Sequence, residues 1–175
     1  MPSAQTLSLT DRRIVAAWAA GCAERALPLF EGECPGDGRP RDAIFRARAF
    51  SGGELSADGE IRRRFVAGRA AAAAGSPAAV AAARAAAQAA GVAHMGAHAL
   101  GAAAYAARAA RLASADGENV FAAELAWQLA QASAPVRTAL RQLPALGADR
   151  SGPLGAGLLA RGDLGEAIRR LQTAL

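Results

Sequence analysis

The chain has 175 residues, 53% of them hydrophobic and 20% charged, with a formal net charge of +5. At about 100–200 residues per domain this is one domain, and the apolar share excludes a disordered chain. Two cysteines, Cys22 and Cys34, are too few for a disulfide scaffold and point to a reducing compartment, the cytoplasm.

All 20 basic residues are arginine, and alanine dominates the hydrophobic fraction, a pairing that matches codon bias in a GC-rich genome. Alanine is the best helix former but buries little area per residue. Alanine-faced helices must therefore pack near the short end of the ~8–10 Å interaxial range, and larger side chains must anchor them. Trp18, Phe30, Phe45, Phe50, Phe65, Tyr105, Phe121 and Trp127 are the expected anchors.

In chain order, the opening residues Met1–Thr10 are polar and carry no secretory signal pattern. A first helix is expected after Thr10 as N-cap, with Asp11 in its first turn and Ile14, Trp18, Cys22, Ala26 and Leu29 as its buried stripe. Glu31–Gly38 is a loop. Pro40 opens a second helix running to about Phe50, and a third covers about Ala57–Ala74. Ser76 and Pro77 start a fourth helix, and Gly91 separates it from a fifth at about Val92–Ala113. A sixth lies near Glu118–Gln131 and a seventh opens at Pro135. Leu146–Gly157 reads as a connector. Asp163 and Glu166, at capping-box spacing, open a terminal amphipathic helix that docks on its own domain or on a second copy, as a homodimer. The longest stretch free of formal charge, Ala85–Ala107, reads as core rather than a membrane span. The fold class is thus all-α: a single alanine-rich bundle of six to eight helices with no β-sheet and the fifth helix central. Residues 1–146 form the helical domain and 147–175 a connector plus a C-terminal helix.

The sharpest local feature is His94-Met95-Gly96-Ala97-His98. Two histidines at i and i+4 on one helix face could share a metal. However, a hydrolytic zinc helix carries a glutamate beside the first histidine, and Met95 stands there. A zinc site joining Cys22, Cys34, His94 and His98 is conceivable, but the two cysteines are far apart in sequence. The favoured reading is a polar core cluster of His94, His98 and Tyr105 with no metal and no cofactor. No nucleophile elbow, phosphate-binding loop or dinucleotide glycine pattern is present, so an enzyme is not expected. Arg39, Arg41, Arg46 and Arg48, and Arg62–Arg64 with Arg69, form basic clusters. They lack the interleaved aromatics of a single-strand binder, so nucleic acid is a disfavoured partner.

Four segments together resemble the immunity-five-like, or putative immunity protein, family. They are Leu9-Thr10-Asp11-Arg12-Arg13 through Trp18 and Cys22-Ala23-Glu24-Arg25; Arg39-Pro40-Arg41-Asp42-Ala43-Ile44; the stretch from Ala93 to Ala106; and Glu124-Leu125-Ala126-Trp127-Gln128. The resemblance spans roughly Leu9–Leu146. It implies a helical bundle and a role as antidote to a bacterial toxin, exercised by stoichiometric protein binding. The basic balance suits a partner with an acidic face or a nonpolar groove. Binding energy concentrates in aromatic and arginine anchors, so the expected surface is Glu31–Arg48, with Arg39, Arg41 and Arg46 as partner-binding residues. The alternatives are a nucleic-acid-binding helical protein and a small metal-dependent enzyme using His94 and His98.

Overall fold

The structure is a computed structural model. It describes residues 3–63 and 65–175, with the side chains of 61–63 left aside. Met1, Pro2 and the side chains of the expected Arg62–Arg64 cluster thus lie outside the described residues. Among those described there are nine α-helices: α1 (Leu9–Glu33), α2 (Arg39–Ser51), α3 (Ala57–Arg63), α4 (Val66–Ala70), α5 (Pro77–Gly91), α6 (His98–Leu112), α7 (Gly117–Gln131), α8 (Ala134–Leu140) and α9 (Gly162–Ala174). Short 3-10 turns occupy Ala71–Ala73 and Leu158–Ala160. No strand occurs among the described residues; the β-type pairing is a single bridge between Asp149 and Gly155. The all-α reading holds. The helix number exceeds the expected range because the helix expected over 57–74 is two short α-helices followed by a 3-10 turn.

The core is the alanine seam between α1, α5 and α6, the helices that pack most extensively on one another. Ala79, Ala82, Ala83, Ala85 and Ala86 of α5 and Ala99, Ala102, Ala103, Ala104 and Ala107 of α6 are fully buried. The centre of α6 is buried on every face, because α1, α5, α7 and α9 all contact it. Phe30, Phe50, Phe121 and Leu100 fill the space that alanine leaves. Fully burying one such side chain is worth about 1.5–3 kcal/mol.

Several local expectations are corrected. Ser8, not Thr10, caps α1: its hydroxyl accepts from the Asp11 N–H at 3.0 Å. Phe45 and Phe65 are 66% and 59% exposed and anchor nothing in the core. The buried stripe of α2 is Ala43, Ile44, Ala47 and Phe50, and Phe45 falls off it by one residue, about 100° around the helix. Phe65 likewise precedes a stripe of small residues, Ala67, Ala70 and Ala71. The fifth predicted helix starts six residues late, at His98. Residues 92–97 form a turn because the N-terminal segment docks there: the Gly96 and Ala97 N–H groups donate to the Thr6 and Gln5 carbonyls, both at 3.0 Å. Leu7, with φ of 62°, is the one described non-glycine residue in the left-handed region. Its side chain occupies the place a Cβ on Gly96 would take, 2.5 Å from Leu7 Cδ1.

Residues 146–157 are tied down by hydrogen bonds. Leu154 is fully buried, and the Gly147 N–H donates to the Leu154 carbonyl at 2.8 Å. The buried Gln5 side chain clamps this loop from the other end of the chain. Its Nε2 donates to Asp149 Oδ2 at 2.6 Å and to the Ser151 carbonyl at 2.8 Å, and its Oε1 accepts from the Leu154 N–H at 2.9 Å. Helix α9 docks on α6 and α7 through Leu164, Ile168 and Leu171. The expected capping box there does not form, since Arg161 is the N-cap and makes no side-chain cap bond. Asp163 and Glu166 instead face Arg111, at 3.6 and 3.5 Å.

Candidate functional site

Two regions gather the side chains with chemical potential. The first is the face built by α1, α2, α7 and α8. Helix α7 is held there by polar groups that α1 and α6 supply. The buried Glu124 carboxylate accepts from Arg25 Nε at 2.9 and 3.1 Å. Gln128 donates through Nε2 to the Ala103 carbonyl at 3.0 Å, and its backbone carbonyl accepts from the Trp18 indole N–H at 2.9 Å. With those contacts fixed, the half-buried Trp127 ring lies under the Arg25 guanidinium, 4.0 Å from ring centroid to Cζ. Burial, with the Glu124 charge second, pushes the Cys22 thiol well above its ordinary pKa, so it is no thiolate nucleophile.

This face carries two adjoining grooves. One, of about 640 Å³, runs between Ile14, Trp18, Arg25, Trp127 and Val136. The other, of about 460 Å³, is lined by Leu27, Arg41, Ile44 and Phe45. Glu24 and Arg48 line both, and their ion pair forms the ridge between them. The three arginines expected to bind a partner each already hold a carboxylate. Arg39 pairs with Asp37, Arg41 with Glu31 through two bonds of 2.7 Å, and Arg46 with Glu60. The Arg39 guanidinium holds the Asp37 carboxyl below its usual pKa. Arg41 lines the second groove, whereas Arg46 reaches the buried Glu60 and ties α2 to α3. Sequence reasoning nominated Trp127 and Phe45 as core anchors, yet they stand on either side of this double groove. The α2 periodicity held the signal that would have moved Phe45 outside.

The second region surrounds the histidines. His94 lies in the turn before α6 and His98 is its first residue, so the two do not share a helix face as the sequence suggested; their ring centroids are 6.5 Å apart. His98 Nδ1 meets Gln88 Oε1 at 2.8 Å. Because that oxygen only accepts, Nδ1 carries the hydrogen and Nε2 keeps its lone pair. Desolvation, then the neighbouring His94, lowers the His98 pKa from 6.5 to about 4. Tyr105 is buried about two turns further along α6. Glycines make the room: a Cβ at Gly91 would meet the His98 ring at 2.9 Å, and one at Gly101 would meet Gln88 Oε1 at 2.3 Å. Among the described residues no three His, Cys, Asp or Glu side chains gather as a metal would require. No helix among them is long and apolar enough to cross a membrane.

The family model described as Imm-5 like putative immunity protein matches residues 5–135. That match takes in both regions except for the α8 edge of the first and the loop 152–159 that walls the second. Comparison with curated proteins found no match, and comparison with solved structures found none.

Proposed function

The chain belongs to the Imm-5 like putative immunity protein family, and from that premise we propose that it neutralises a bacterial protein toxin in the cytoplasm by stoichiometric binding, without turnover. The observation that carries the proposal is the double groove, where Phe45 on one side and Trp127 on the other flank a line of arginines, Arg41, Arg48 and Arg25. Aromatic and arginine side chains are the usual anchors of protein interfaces. The occupant is a segment of the toxin that places apolar side chains in the two grooves and a carboxylate at the ridge. A carboxylate fits because exposed ion pairs such as Glu24–Arg48 and Glu31–Arg41 are worth only about 0–1 kcal/mol and exchange readily for an incoming acid. The net charge of +5 adds long-range attraction to an acidic face. Of the three arginines nominated from sequence, the proposal keeps Arg41 at the interface and gives Arg39 and Arg46 to internal ties.

The test is calorimetric titration of the full chain with the toxin-like protein encoded beside it, with a survival assay in parallel. Phe45→Ala and the double reversal Arg41→Glu with Arg48→Glu should each weaken binding at least about tenfold, and the charge effect should shrink as salt rises. Arg46 is left intact, because reversing it would strand the buried Glu60. Wild-type affinity in both variants would remove this surface. Failure of the unaltered chain to bind or protect would remove the antidote reading itself.

A further inference from the structure

The histidine region opens into a cavity of about 450 Å³ between α5, α6 and the loop 152–159, lined by Arg84, Gln88, His94, Met95, His98 and Tyr105. A second cavity of about 350 Å³ continues it along the same helices, with Arg108 at its far side; Arg84, Tyr105 and Leu158 line both. Neither cavity is lined by any carboxylate. Arg84 and Arg108 make no ion pair or hydrogen bond with any described residue. They stand apart from the paired arginines of α2, each of which holds an acid. Two guanidinium groups left uncompensated around a concave site are an arrangement that favours an oxyanion, which arginine binds through paired N–H donors. Tyr105, whose hydroxyl is a further donor, lines both cavities. Met95, Pro153, Leu158 and Leu159 supply apolar walls, and Gln88, His94 and His98 are the remaining polar side chains of the lining. Mostly apolar walls with a few convergent polar groups are the usual make-up of a small-molecule site.

We propose that this double cavity binds a small organic anion, its phosphate or carboxylate head between Arg84 and Arg108 and its apolar body against Met95 and Leu158. The site shares no lining residue with the grooves proposed for the toxin. Its outer wall, residues 152–159, lies beyond the family-matched segment, so this chain supplies part of its own ligand selectivity.

Phenyl phosphate, phenylacetate, inorganic phosphate and benzyl alcohol serve as probes, titrated into the full chain by calorimetry and by amide chemical-shift mapping. At least one of the two organic anions should bind saturably and at least about tenfold tighter than inorganic phosphate and benzyl alcohol. The arm that binds tighter tells phosphate from carboxylate. Shifts should cluster on residues 84–88, 94–108 and 152–159. Arg84→Ala and Arg108→Ala should each lower affinity about tenfold or more, while Arg161→Ala leaves it unchanged. Tyr105→Phe, which keeps the ring in the core, gives a second reading should either arginine variant fail to fold. The proposal is overturned if no organic anion binds at about 1 mM. It is equally overturned if binding persists in the arginine variants and in Tyr105→Phe, or if the shifts map elsewhere.

Discussion

The Arg25 guanidinium is shared between two residues of α7: its Nε donates to Glu124 while its carbon stands 4.0 Å from the Trp127 ring centroid. The ion pair fixes the guanidinium, and the fixed guanidinium holds the ring at the edge of the groove. Trp127→Ala should therefore lose two things of different size. Fold stability should fall by about 0.5–1 kcal/mol, the worth of an exposed cation–π contact. Toxin affinity should fall by about 2 kcal/mol or more if the ring is an interface anchor. Chemical denaturation and calorimetry on the same variant separate the two. A loss confined to stability would return Trp127 to a packing role.

Glycine replacements should divide according to what blocks them. At Gly165 an added Cβ would lie 2.3 Å from the Ala160 carbonyl oxygen, a backbone atom that cannot swing aside. Gly165→Ala should cost about 1–3 kcal/mol through overpacking. At Gly101 the obstacle is the mobile end of Gln88. Gly101→Ala should stay within about 1 kcal/mol of the parent, because helix propensity gained offsets the hydrogen bond lost. Its effect should show at His98, whose ring resonances would shift as Gln88 leaves. Equal midpoints in urea for the two variants would contradict this account.

His98 gives the fold an acid sensitivity with a definite window. In the unfolded chain it titrates near 6.5, while in the fold burial and His94 hold it at about 4. As pH falls through that interval the unfolded chain takes up a proton that the fold refuses, so stability declines and then levels off once the folded form also protonates. The full depression corresponds to about 3 kcal/mol at most. Arg84 and Gln88 on α5 and His94 in the preceding turn share its cavity, and His94 acts in the same direction as burial. The Glu33 and Asp37 carboxyls, lowered by bonds to Ser76 and to Arg39, lose their contribution only at lower pH. His98→Gln should flatten the pH–stability curve between 6.5 and about 4 and leave the carboxylate limb in place. An unchanged slope would show that His98 is not its source.

Helix type and approximate position were legible in the sequence wherever a capping residue met a clear apolar stripe, as at Ser76 and Pro77 for α5. What escaped depends on contacts far away along the chain. Nothing local at Val92 announces that the Thr6 and Gln5 carbonyls will claim the N–H groups of Gly96 and Ala97 and hold the segment out of the helix. The connector looked loose because glycine and proline dominate it, and only Leu154 hinted at burial. At the double groove the misplaced residue was Phe45, expected in the core and exposed in the fold. Aromatic identity suggested core for Phe45, and an alanine-rich stripe beside it was too weak a contrast to overrule that.

Gln5→Ala should expose how much that distant clamp contributes. The change removes three hydrogen bonds and leaves the buried Leu154 N–H without its acceptor. A loss of about 2–3 kcal/mol is expected, mostly from the stranded donor, along with faster proteolysis within residues 147–157. Equal cleavage rates for variant and parent would mean that the loop is held by other contacts.

The same clamp sets a schedule for synthesis. Gln5 leaves the ribosome early, whereas its first partner, Asp149, lies 144 residues further on. At about 5–20 residues per second that is a wait on the order of 10 s. Once residues 92–97 have emerged, the turn that starts α6 must hold without the loop that later seals it. Helices α1 to α7 can gather as they emerge, but the finished arrangement, and with it the wall of the second cavity, closes only when the last segment arrives.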